Sequence, residues 1–331
     1  MKCKVCRGHA AVDVRRHNAA FCAEHFVEHV RKQVARTIKE FRMVDARDRL
    51  LVAVSGGKDS LALWDILLDL GYDAIGFYLD LGIGGYSTRS REACVTFAER
   101  RGAKLVVRSL EGEHGYTVPE LAHLTGRVPC SGCGLNKRYE FNRAALEEGF
   151  NVLVTGHNLD DEVATLFGNI LHWNLDVLAR QAPVLEERTA DGDTQSDPIL
   201  VRKVKPLVRV AERETAAYAV LRRIDYIVEE CPMVEGNTQH RYKEAIALLE
   251  EDSPGTKQQF YFGFLKNGTE RFAARDGALI VACTRCGAPT AIWDGDSGAA
   301  LCSFCKTKAL AHRRKDAGAP PARARRSRRS R

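Results

Sequence analysis

Short apolar runs alternate with helical hydrophobic stripes between about residue 48 and residue 230, and this alternation restricts the fold more than any other feature of the chain. Leu50 to Val54 is a continuous apolar run, and the apolar residues after it recur at helical spacing until Gly71. The same cycle then repeats along the chain. It predicts an α/β fold, a doubly wound parallel sheet with helices on both faces. Such sheets bind ligands beyond the carboxyl ends of their strands.

The same patterns predict the remaining elements of the sheet. Further strands are expected over 74–79, 104–107, 151–155 and 201–207, and further helices over 91–101, 135–148, 161–171 and 212–223. A last strand is expected just before Cys231. Between 186 and 197 acidic and small polar residues replace the apolar pattern, which predicts an insertion loop.

Composition excludes several classes of protein. Of the 331 residues 45% are apolar and 10 are proline, so the chain can bury a large core and is not disordered throughout. The odd number of cysteines, 11, and an amino terminus without a signal-peptide pattern favour a reducing compartment. No apolar run reaches the roughly 20 residues of a membrane span. We expect a soluble, cytoplasmic protein with no membrane partner.

The formal charge of +7 is concentrated at the carboxyl terminus. Residues 313–331 hold nine Lys or Arg and one Asp, so the preceding 312 residues carry a charge of −1. This segment has no hydrophobic face, and we predict a disordered basic tail. Charge alone leaves open whether the tail is a solvated end or an arm that binds nucleic-acid phosphates.

The first predicted strand leads directly into the segment Ser55-Gly56-Gly57-Lys58-Asp59-Ser60, after which a helix begins at once. The two glycines let the backbone curl, so that amide N–H groups and the positive end of the helix face an anion. The side chains of Ser55, Lys58 and Ser60 add hydrogen-bond donors. The segment therefore predicts a phosphate-binding loop, although its spacing differs from that of the kinase-type P-loop.

A second site element follows the strand predicted over 151–155, in the segment Thr155-Gly156-His157-Asn158-Leu159-Asp160-Asp161-Glu162. Gly156 permits the close approach of a ligand, and Asp161 at a helix start could hold a magnesium ion or a proton. The alternative is that Asp160 or Asp161 only caps the helix.

Near each end of the chain there are two pairs of residues of the types that bind metals. At both ends, fifteen residues separate the first pair from the second. The two sets are Cys3, Cys6, Cys22 and His25 near the amino terminus and Cys283, Cys286, Cys302 and Cys305 near the carboxyl terminus. This spacing is typical of closed, structural zinc sites, so we predict one Zn²⁺ in each set. His29, one helical turn beyond His25, is an alternative fourth ligand.

Cys130, Cys133 and Cys231 form a third group near the middle of the chain. Three thiolates can hold three irons of a [4Fe-4S] cluster and leave the fourth iron open for a substrate sulfur. The same residues also fit a cluster-free mechanism, in which one of Cys130 and Cys133 carries a persulfide and the other resolves it, or another zinc site. The remaining cysteine, Cys94, lies on an apolar helical stripe and is expected in the core.

Together these motifs resemble the tRNA 2-thiouridine synthetases of the TtuA type. Ser55 to Ser60 resembles the SGGxDS loop of the adenylating ATP pyrophosphatases, the PP-loop superfamily, and 156–162 resembles the GHxxDD motif of its tRNA-modifying members. The likeness extends from Cys3 to Cys305. It implies that ATP with Mg²⁺ adenylates the C2 oxygen of a tRNA uridine and that sulfur then replaces this oxygen. The implied sulfur donor is a thiocarboxylated ubiquitin-like carrier protein.

The resemblance also implies roles for individual residues. Ser55 to Ser60 would bind the ATP phosphates. Backbone groups of Ala53, Leu79 and Gly156 would line the nucleotide. Lys137 and Asp161 would assist at the reacting centre. The ligands of the [4Fe-4S] cluster would be Cys130, Cys133 and Cys231.

The implied substrate is the uridine at position 54 in the T-loop, with the wobble uridine at position 34 as the alternative. An amide-forming PP-loop synthetase and a zinc-dependent RNA-binding scaffold are alternatives from other classes. We predict an N-terminal zinc finger over 1–31, a catalytic domain over 32–275, a C-terminal zinc finger over 276–312 and the tail over 313–331. The sequence leaves open whether the protein forms a homodimer.

Overall fold

The computed structural model describes residues 1–190, 197–234, 238–272, 278–293 and 298–318. Its strands are β1 Val12–Val14, β2 Ala19–Phe21, β3 Leu50–Val54, β4 Ala74–Asp80, β5 Leu105–Ser109, β6 Val152–Thr155, β7 Val184–Leu185, β8 Arg188–Thr189, β9 Pro198–Leu200, β10 Arg202–Val204, β11 Ala278–Ala282 and β12 Pro289–Trp293. Its α-helices are α1 Ala23–Glu40, α2 Lys58–Asp69, α3 Gly84–Arg101, α4 Leu110–His114, α5 Val118–Thr125, α6 Pro129–Glu147, α7 Leu159–Leu171, α8 Leu175–Leu178, α9 Glu212–Leu221, α10 Thr238–Asp252, α11 Thr256–Asn267 and α12 Ser303–Asp316.

The main sheet has the strand order β5-β4-β3-β6-β10-β7. Its first five strands in this order are parallel, and the short edge strand β7 pairs antiparallel with β10. The chain builds outward from β3 in both directions, so a crevice opens between the carboxyl ends of β3 and β6. The predicted doubly wound parallel sheet is confirmed.

The side chains of β3 point alternately into two separate cores. Leu50 and Val52 lie in the core that α1, α2, α3 and α9 cover, and Leu51 lies in the core beneath α5 and α6. All three side chains are fully buried. Burial of an aliphatic side chain of this size contributes about 1.5–3 kcal/mol. This two-sided burial explains why the strand is apolar at every position.

A helix pair that the sequence patterns did not predict, α10 and α11, covers α7. Tyr261 of α11 is fully buried, and its hydroxyl donates to Glu162 of α7 at 3.0 Å. Lys205 pairs with the same carboxylate at 2.7 Å. Among the described residues of α10, Ile246 is buried, while Leu248 and Leu249 are exposed. The helix therefore has no apolar stripe at helical spacing, and the sequence pattern did not predict it.

Three element predictions are corrected. The helix expected over 135–148 begins at Pro129, so Cys130 and Cys133 lie in its first turns. Proline suits the first position of a helix. The serine and the glycines beside the two thiols have low helix propensity, which is why a loop was expected there. The strand expected over 201–207 ends at Val204, because Pro206 cannot donate to a ladder and begins a 3-10 turn. The strand expected before Cys231 is absent from 224–230, where Ile227 N donates instead to Gly56 O at 2.9 Å.

The peripheral segments complete the described chain. The insertion predicted over 186–197 contains β8, which pairs with β9 directly after the insertion, and residues 191–196 lie outside the described residues. The tail predicted from residue 313 is helical up to Asp316, because its first basic side chains suit a helix carboxyl end and Lys315 pairs with Glu120 at 2.8 Å. Residues 319–331 lie outside the description.

Two further features bear on organisation. Residue 31, the expected end of the N-terminal finger, lies within α1, so that finger and the sheet share one helix. The domain division stays a prediction. Among the described helices there is none with the length and apolar character to cross a membrane.

A buried carboxylate ties three helices together behind the phosphate-binding segment. Asp65 of α2 is 2% exposed and accepts from Arg101 at 2.6 Å, from Arg222 at 2.8 Å and from the hydroxyl of Tyr218 at 2.8 Å. Both arginines also pair with Asp69, at 2.7 and 3.0 Å, so the buried hydroxyl of Tyr218 depends most on this carboxylate. Asp65 therefore holds α3 and α9 against the helix that begins at the phosphate loop.

We expect Asp65→Ala to lower the free energy of unfolding by about 1.5–3 kcal/mol, measured by chemical denaturation, because the hydrogen bonds to this buried carboxylate are lost. Glu28→Ala is the matched control, because Glu28 pairs with Lys32 at 2.6 Å on the exposed face of α1. An exposed pair of this kind contributes at most about 1 kcal/mol. Similar losses in the two variants would show that the buried network does not stabilise the fold.

Candidate active site

A cavity of about 300 Å³ opens in the crevice of the main sheet. The ends of β3, β4 and β6 form its floor, and helices α2, α3, α6 and α7 form its walls. The predicted site residues that line it are Ala53, Ser55, Asp59, Ser60, Leu79, Lys137, Gly156 and Asp161. The sheet thus brings together residues that the sequence had placed in four separate segments.

The phosphate loop is closed by its own serines. Ser55 N donates to Ser60 Oγ at 3.1 Å, and Ser60 Oγ donates to Gly57 O at 3.0 Å. Helix α2 begins at Lys58, so its first free N–H groups point at the concave side of the loop. Gly56 has a φ of +74°, and a Cβ there would lie 2.6 Å from Ser90 O. Only glycine fits this position.

Gly156 brings the end of β6 against the same loop. A Cβ at Gly156 would lie 3.0 Å from both the nitrogen and the Cα of Ser60. Asn158 Nδ2 donates to Asp59 Oδ1 at 3.1 Å, and Thr215 Oγ1 donates to the same oxygen. The two motifs that the sequence analysis singled out are therefore hydrogen-bonded to each other.

Asp161 both caps a helix and faces the cavity. Its backbone N–H donates to Asn158 Oδ1 at 3.1 Å, and its Oδ2 accepts from Asn158 N at 3.2 Å, which is a complete capping box. Its other oxygen, Oδ1, lies 2.6 Å from Lys243 Nζ. One oxygen of this carboxylate thus caps the helix, and the other is placed to interact with groups beside the cavity.

Two charged residues beside the cavity, Glu212 and Lys243, could not be recognised from the sequence. Glu212 Oε1 lies 2.7 Å from Lys58 Nζ, and its Oε2 lies 2.8 Å from Lys243 Nζ. Burial acts to raise the pKa of Glu212, but hydrogen bonds from Lys243 and Lys58 outweigh it and lower this pKa to about 2. Lys58 also contacts Asp59 at 3.1 Å. No local sequence signal marks Lys243, which comes from the unpredicted helix α10.

The three central cysteines lie beside the cavity. Cys130 and Cys133 are half-buried in the first turns of α6, and Lys137, one turn after Cys133, lines the cavity. The half-buried Cys231 belongs to the segment that returns to α6, where Cys130 Sγ donates to Met233 O at 3.5 Å. Burial and the nearby thiols of Cys231 and Cys133 raise the pKa of the cavity residue Tyr86.

The predicted amino-terminal metal ligands converge. One ligand atom from each of the four residues lies within 4.8 Å of the others, the set being Cys3, Cys6, Cys22 and His25. Burial acts to raise the pKa of Cys3, but backbone N–H donors outweigh it and lower this pKa to about 6. His29 is not in this set, because its ring stacks on Phe21 with the ring centroids 4.6 Å apart.

The carboxyl-terminal ligands converge in the same way, within 4.8 Å of one another: Cys283, Cys286, Cys302 and Cys305. Cys302 N donates to Cys283 Sγ at 3.3 Å, as expected where a backbone amide supports a metal-binding thiolate. Phe304, beside these ligands, stacks on Tyr139 of α6 with the ring centroids 3.6 Å apart. The C-terminal ligand set therefore rests on the helix that carries Cys130 and Cys133.

Comparison with known proteins gives two family matches. A PP-loop domain matches residues 27–246, and the N-terminal LIM domain of the 2-thiouridine synthetase TtuA matches residues 2–27. The chain is 46% identical to the tRNA-5-methyluridine(54) 2-sulfurtransferase of Thermus thermophilus, over 95% of this chain and 93% of that protein. Its identity to the protein of the same name from Pyrococcus horikoshii is 40%, over 92% and 93% of the two chains.

A solved structure has the same fold. It is the U34-tRNA thiolase NcsA from Methanococcus maripaludis with its [4Fe-4S] cluster, which superimposes with a TM-score of 0.74 over 93% of this chain and 95% of that one, at 24% identity. The resemblance inferred from the motifs is confirmed by the family matches and by identity along nearly the whole length. The chain belongs to the TtuA family of PP-loop tRNA 2-sulfurtransferases.

Proposed function

We propose that the protein is an ATP-dependent tRNA uridine 2-sulfurtransferase that acts on position 54 of the T-loop. One observation carries the proposal. Helix α6 presents Cys133 and Lys137 on one face, and Lys137 lines the cavity that Ser55 and Ser60 of the phosphate loop also line. A sulfur-handling group and an ATP site thus share one helix. Neither an amide-forming synthetase nor an RNA-binding scaffold needs this juxtaposition.

The phosphate loop performs the first half of the proposed reaction. Its N–H groups and Lys58 hold the ATP phosphates, while backbone groups of Ala53, Leu79 and Gly156 line the nucleoside. The C2 oxygen of the uridine attacks the α-phosphorus, the bond to the β-phosphate oxygen breaks, and pyrophosphate leaves. Donors already fixed around the leaving group stabilise its charge without reorganisation.

Lys137 and Asp161 line the cavity from opposite walls, on α6 and α7. We assign both to the reacting centre, Lys137 as a cation that stabilises charge on the activated oxygen and Asp161 as a carboxylate that orients the Mg²⁺ of ATP or a proton. Sulfur then forms its bond to C2, the C2–O bond breaks, and AMP leaves with the oxygen.

The central cysteines fit a [4Fe-4S] cluster. Their donor set is three half-buried thiols, and they are not among the described groups whose ligand atoms meet closely enough to share one ion. A polynuclear cluster spreads its thiolate ligands further apart than a single zinc ion does. Cys130, Cys133 and Cys231 would hold the cluster, which would supply an iron site that binds sulfide in its deprotonated form. The persulfide alternative uses Cys130 and Cys133 alone.

The two terminal sets fit Zn²⁺. Cysteine and histidine ligands in closed sets of four are typical of structural zinc, and four protein ligands leave no open position for a substrate. We assign one zinc ion to each set. The stacking of Phe304 on Tyr139 supports a structural role for the C-terminal zinc finger, because this contact fixes the outer face of α6.

The substrate assignment rests on relatives. Two proteins that share 46% and 40% of their residues with this chain are named for uridine 54, and we extend that position to the chain. A thiocarboxylated ubiquitin-like carrier protein is the sulfur donor that we propose, because membership of the TtuA family implies one. Reduced cysteines in three ligand sets favour the cytoplasm. The test is to locate the sulfur that the protein adds to tRNA by mass spectrometry of nuclease digests.

A further inference from the structure

We propose that Lys243 is a phosphate-binding residue of the ATP site, contributed by a helix outside the sequence motifs. The proposal rests on the proposed function, because it adds a contact to the ATP that this function requires. It assigns Lys243 to the pyrophosphate end of the nucleotide. The ligand class is a magnesium-bound triphosphate or pyrophosphate.

Lys243 lies one contact away from the phosphate loop. Its Nζ is 2.6 Å from Asp161 Oδ1, on the cavity wall, and 2.8 Å from Glu212 Oε2. The other oxygen of Glu212 is 2.7 Å from Nζ of Lys58, the lysine of the loop. Glu212 therefore bridges two lysines, one from the loop and one from α10.

Helix α10 is held firmly enough to deliver this side chain. A Cβ at Gly168 of α7 would lie 2.7 Å from the ring of Tyr242, so the absence of a side chain there lets α10 approach closely. The hydroxyl of Tyr242 also lies 3.0 Å from His172 Nε2, and Ile246 is buried. Residues 242, 243 and 246 share one helical face, which points at α7.

The charges of this cluster explain why the lysines are paired with carboxylates before ATP binds. Lys58 and Lys243 face three carboxylates, those of Asp59, Asp161 and Glu212, which gives the cluster a net charge of about −1. Such a cluster repels a bare triphosphate. Carboxylate oxygens are ligands that Mg²⁺ accepts together with substrate phosphates. The magnesium of ATP can thus take over carboxylates and free both lysines for the phosphate oxygens.

The lysines can exchange partners because every member of the cluster is partly exposed to water. The five side chains keep between 23% and 34% of their surface exposed. Water therefore reaches all five groups and screens their ion pairs. A phosphate oxygen offers a lysine a stronger, more highly charged acceptor than the carboxylate that it leaves. Lys243 therefore lies next to the site and can leave its carboxylate partners when a phosphate binds.

The test compares Lys243→Ala with Arg241→Ala by calorimetric titration in Mg²⁺. Arg241 is exposed on the same helix two residues away, on the opposite side, so it controls for the loss of a positive charge. We expect Lys243→Ala to weaken a non-hydrolysable ATP analogue and pyrophosphate by about 10- to 100-fold, the value of one charge-assisted hydrogen bond. The affinity of Lys243→Ala for AMP should equal that of the natural protein. Arg241→Ala should leave the affinities for the analogue, pyrophosphate and AMP unchanged.

Two further variants keep the result interpretable. Lys243→Arg retains the charge and should recover most of the affinity, while Lys243→Gln retains a donor without charge and serves if the alanine variant does not fold. Unchanged affinity for the analogue in both neutral variants would overturn the proposal, and so would an equal loss for AMP. Failure of the natural protein to bind the analogue would instead contradict the ATP step of the proposed function.

Discussion

Cys231→Ser is expected to lower tRNA thiolation by more than about 100-fold while leaving ATP binding unchanged. The variant removes one of the three proposed cluster ligands, and changes even to outer partners of a metal ligand cost about 10- to 100-fold. Cys231 does not line the ATP cavity, so nucleotide affinity should be preserved. Anaerobically purified variant should contain less iron and absorb less at the blue edge of the visible spectrum.

Cys94→Ala is the matched control for this experiment. Cys94 is fully buried in α3, and the change removes a thiol without disturbing the three central cysteines. This control should keep its iron, and any loss of its activity should come with weaker ATP binding, because the Cys94 thiol accepts a hydrogen bond from the backbone of Gly56. The experiment also separates the two sulfur mechanisms, because a persulfide relay between Cys130 and Cys133 does not need Cys231. Full activity of Cys231→Ser in protein that lacks iron would contradict the cluster.

Gly56→Ala is expected to lower kcat/KM for ATP by about 100-fold or more. The new Cβ would lie 2.6 Å from Ser90 O, so the loop or α3 must move. A shift of about 1 Å in groups that position a substrate can cost about 100-fold in rate. The measurement is tRNA-dependent release of pyrophosphate at several ATP concentrations.

Gly71→Ala controls for backbone strain. Gly71 has a φ of +82°, similar to that of Gly56, but a Cβ there meets nothing within 4 Å. Both substitutions pay about 1–2 kcal/mol for the left-handed conformation. Gly71→Ala should therefore lower stability and leave kcat/KM for ATP intact. Equal kinetic losses in the two variants would mean that the contact between the loop and α3 does not position ATP.

Local patterns revealed the parts of the site whose residues are close together in the sequence. The loop from Ser55 to Ser60 could be predicted because a strand, two glycines and a helix start follow one another directly. The terminal ligand sets could be predicted because the spacing within each pair is short and fixed. The central sheet was predicted for the same reason, since β3 and β6 each form a short apolar run.

Residues that reach the site through tertiary packing could not be predicted. Lys243 belongs to a helix whose burial depends on the missing side chain of Gly168, a contact between distant parts of the chain. His25 and His29 lie one turn apart on α1, and only the packing of this helix shows that His25 faces the cysteines while His29 stacks on Phe21. The helical start of α6 was hidden because Gly132 and its neighbours have low helix propensity, whereas the fold needs a helix there.

The central claim is tested most directly by where sulfur enters tRNA. Unmodified and 5-methylated tRNA would be incubated anaerobically with the protein, Mg²⁺, ATP and a sulfide source, digested, and mapped by mass spectrometry, with AMP measured in parallel. We predict a 2-thiouridine at position 54 and one AMP for each sulfur incorporated. Sulfur at position 34 would contradict the substrate assignment, and AMP release without any thiolated uridine would contradict the sulfurtransferase itself.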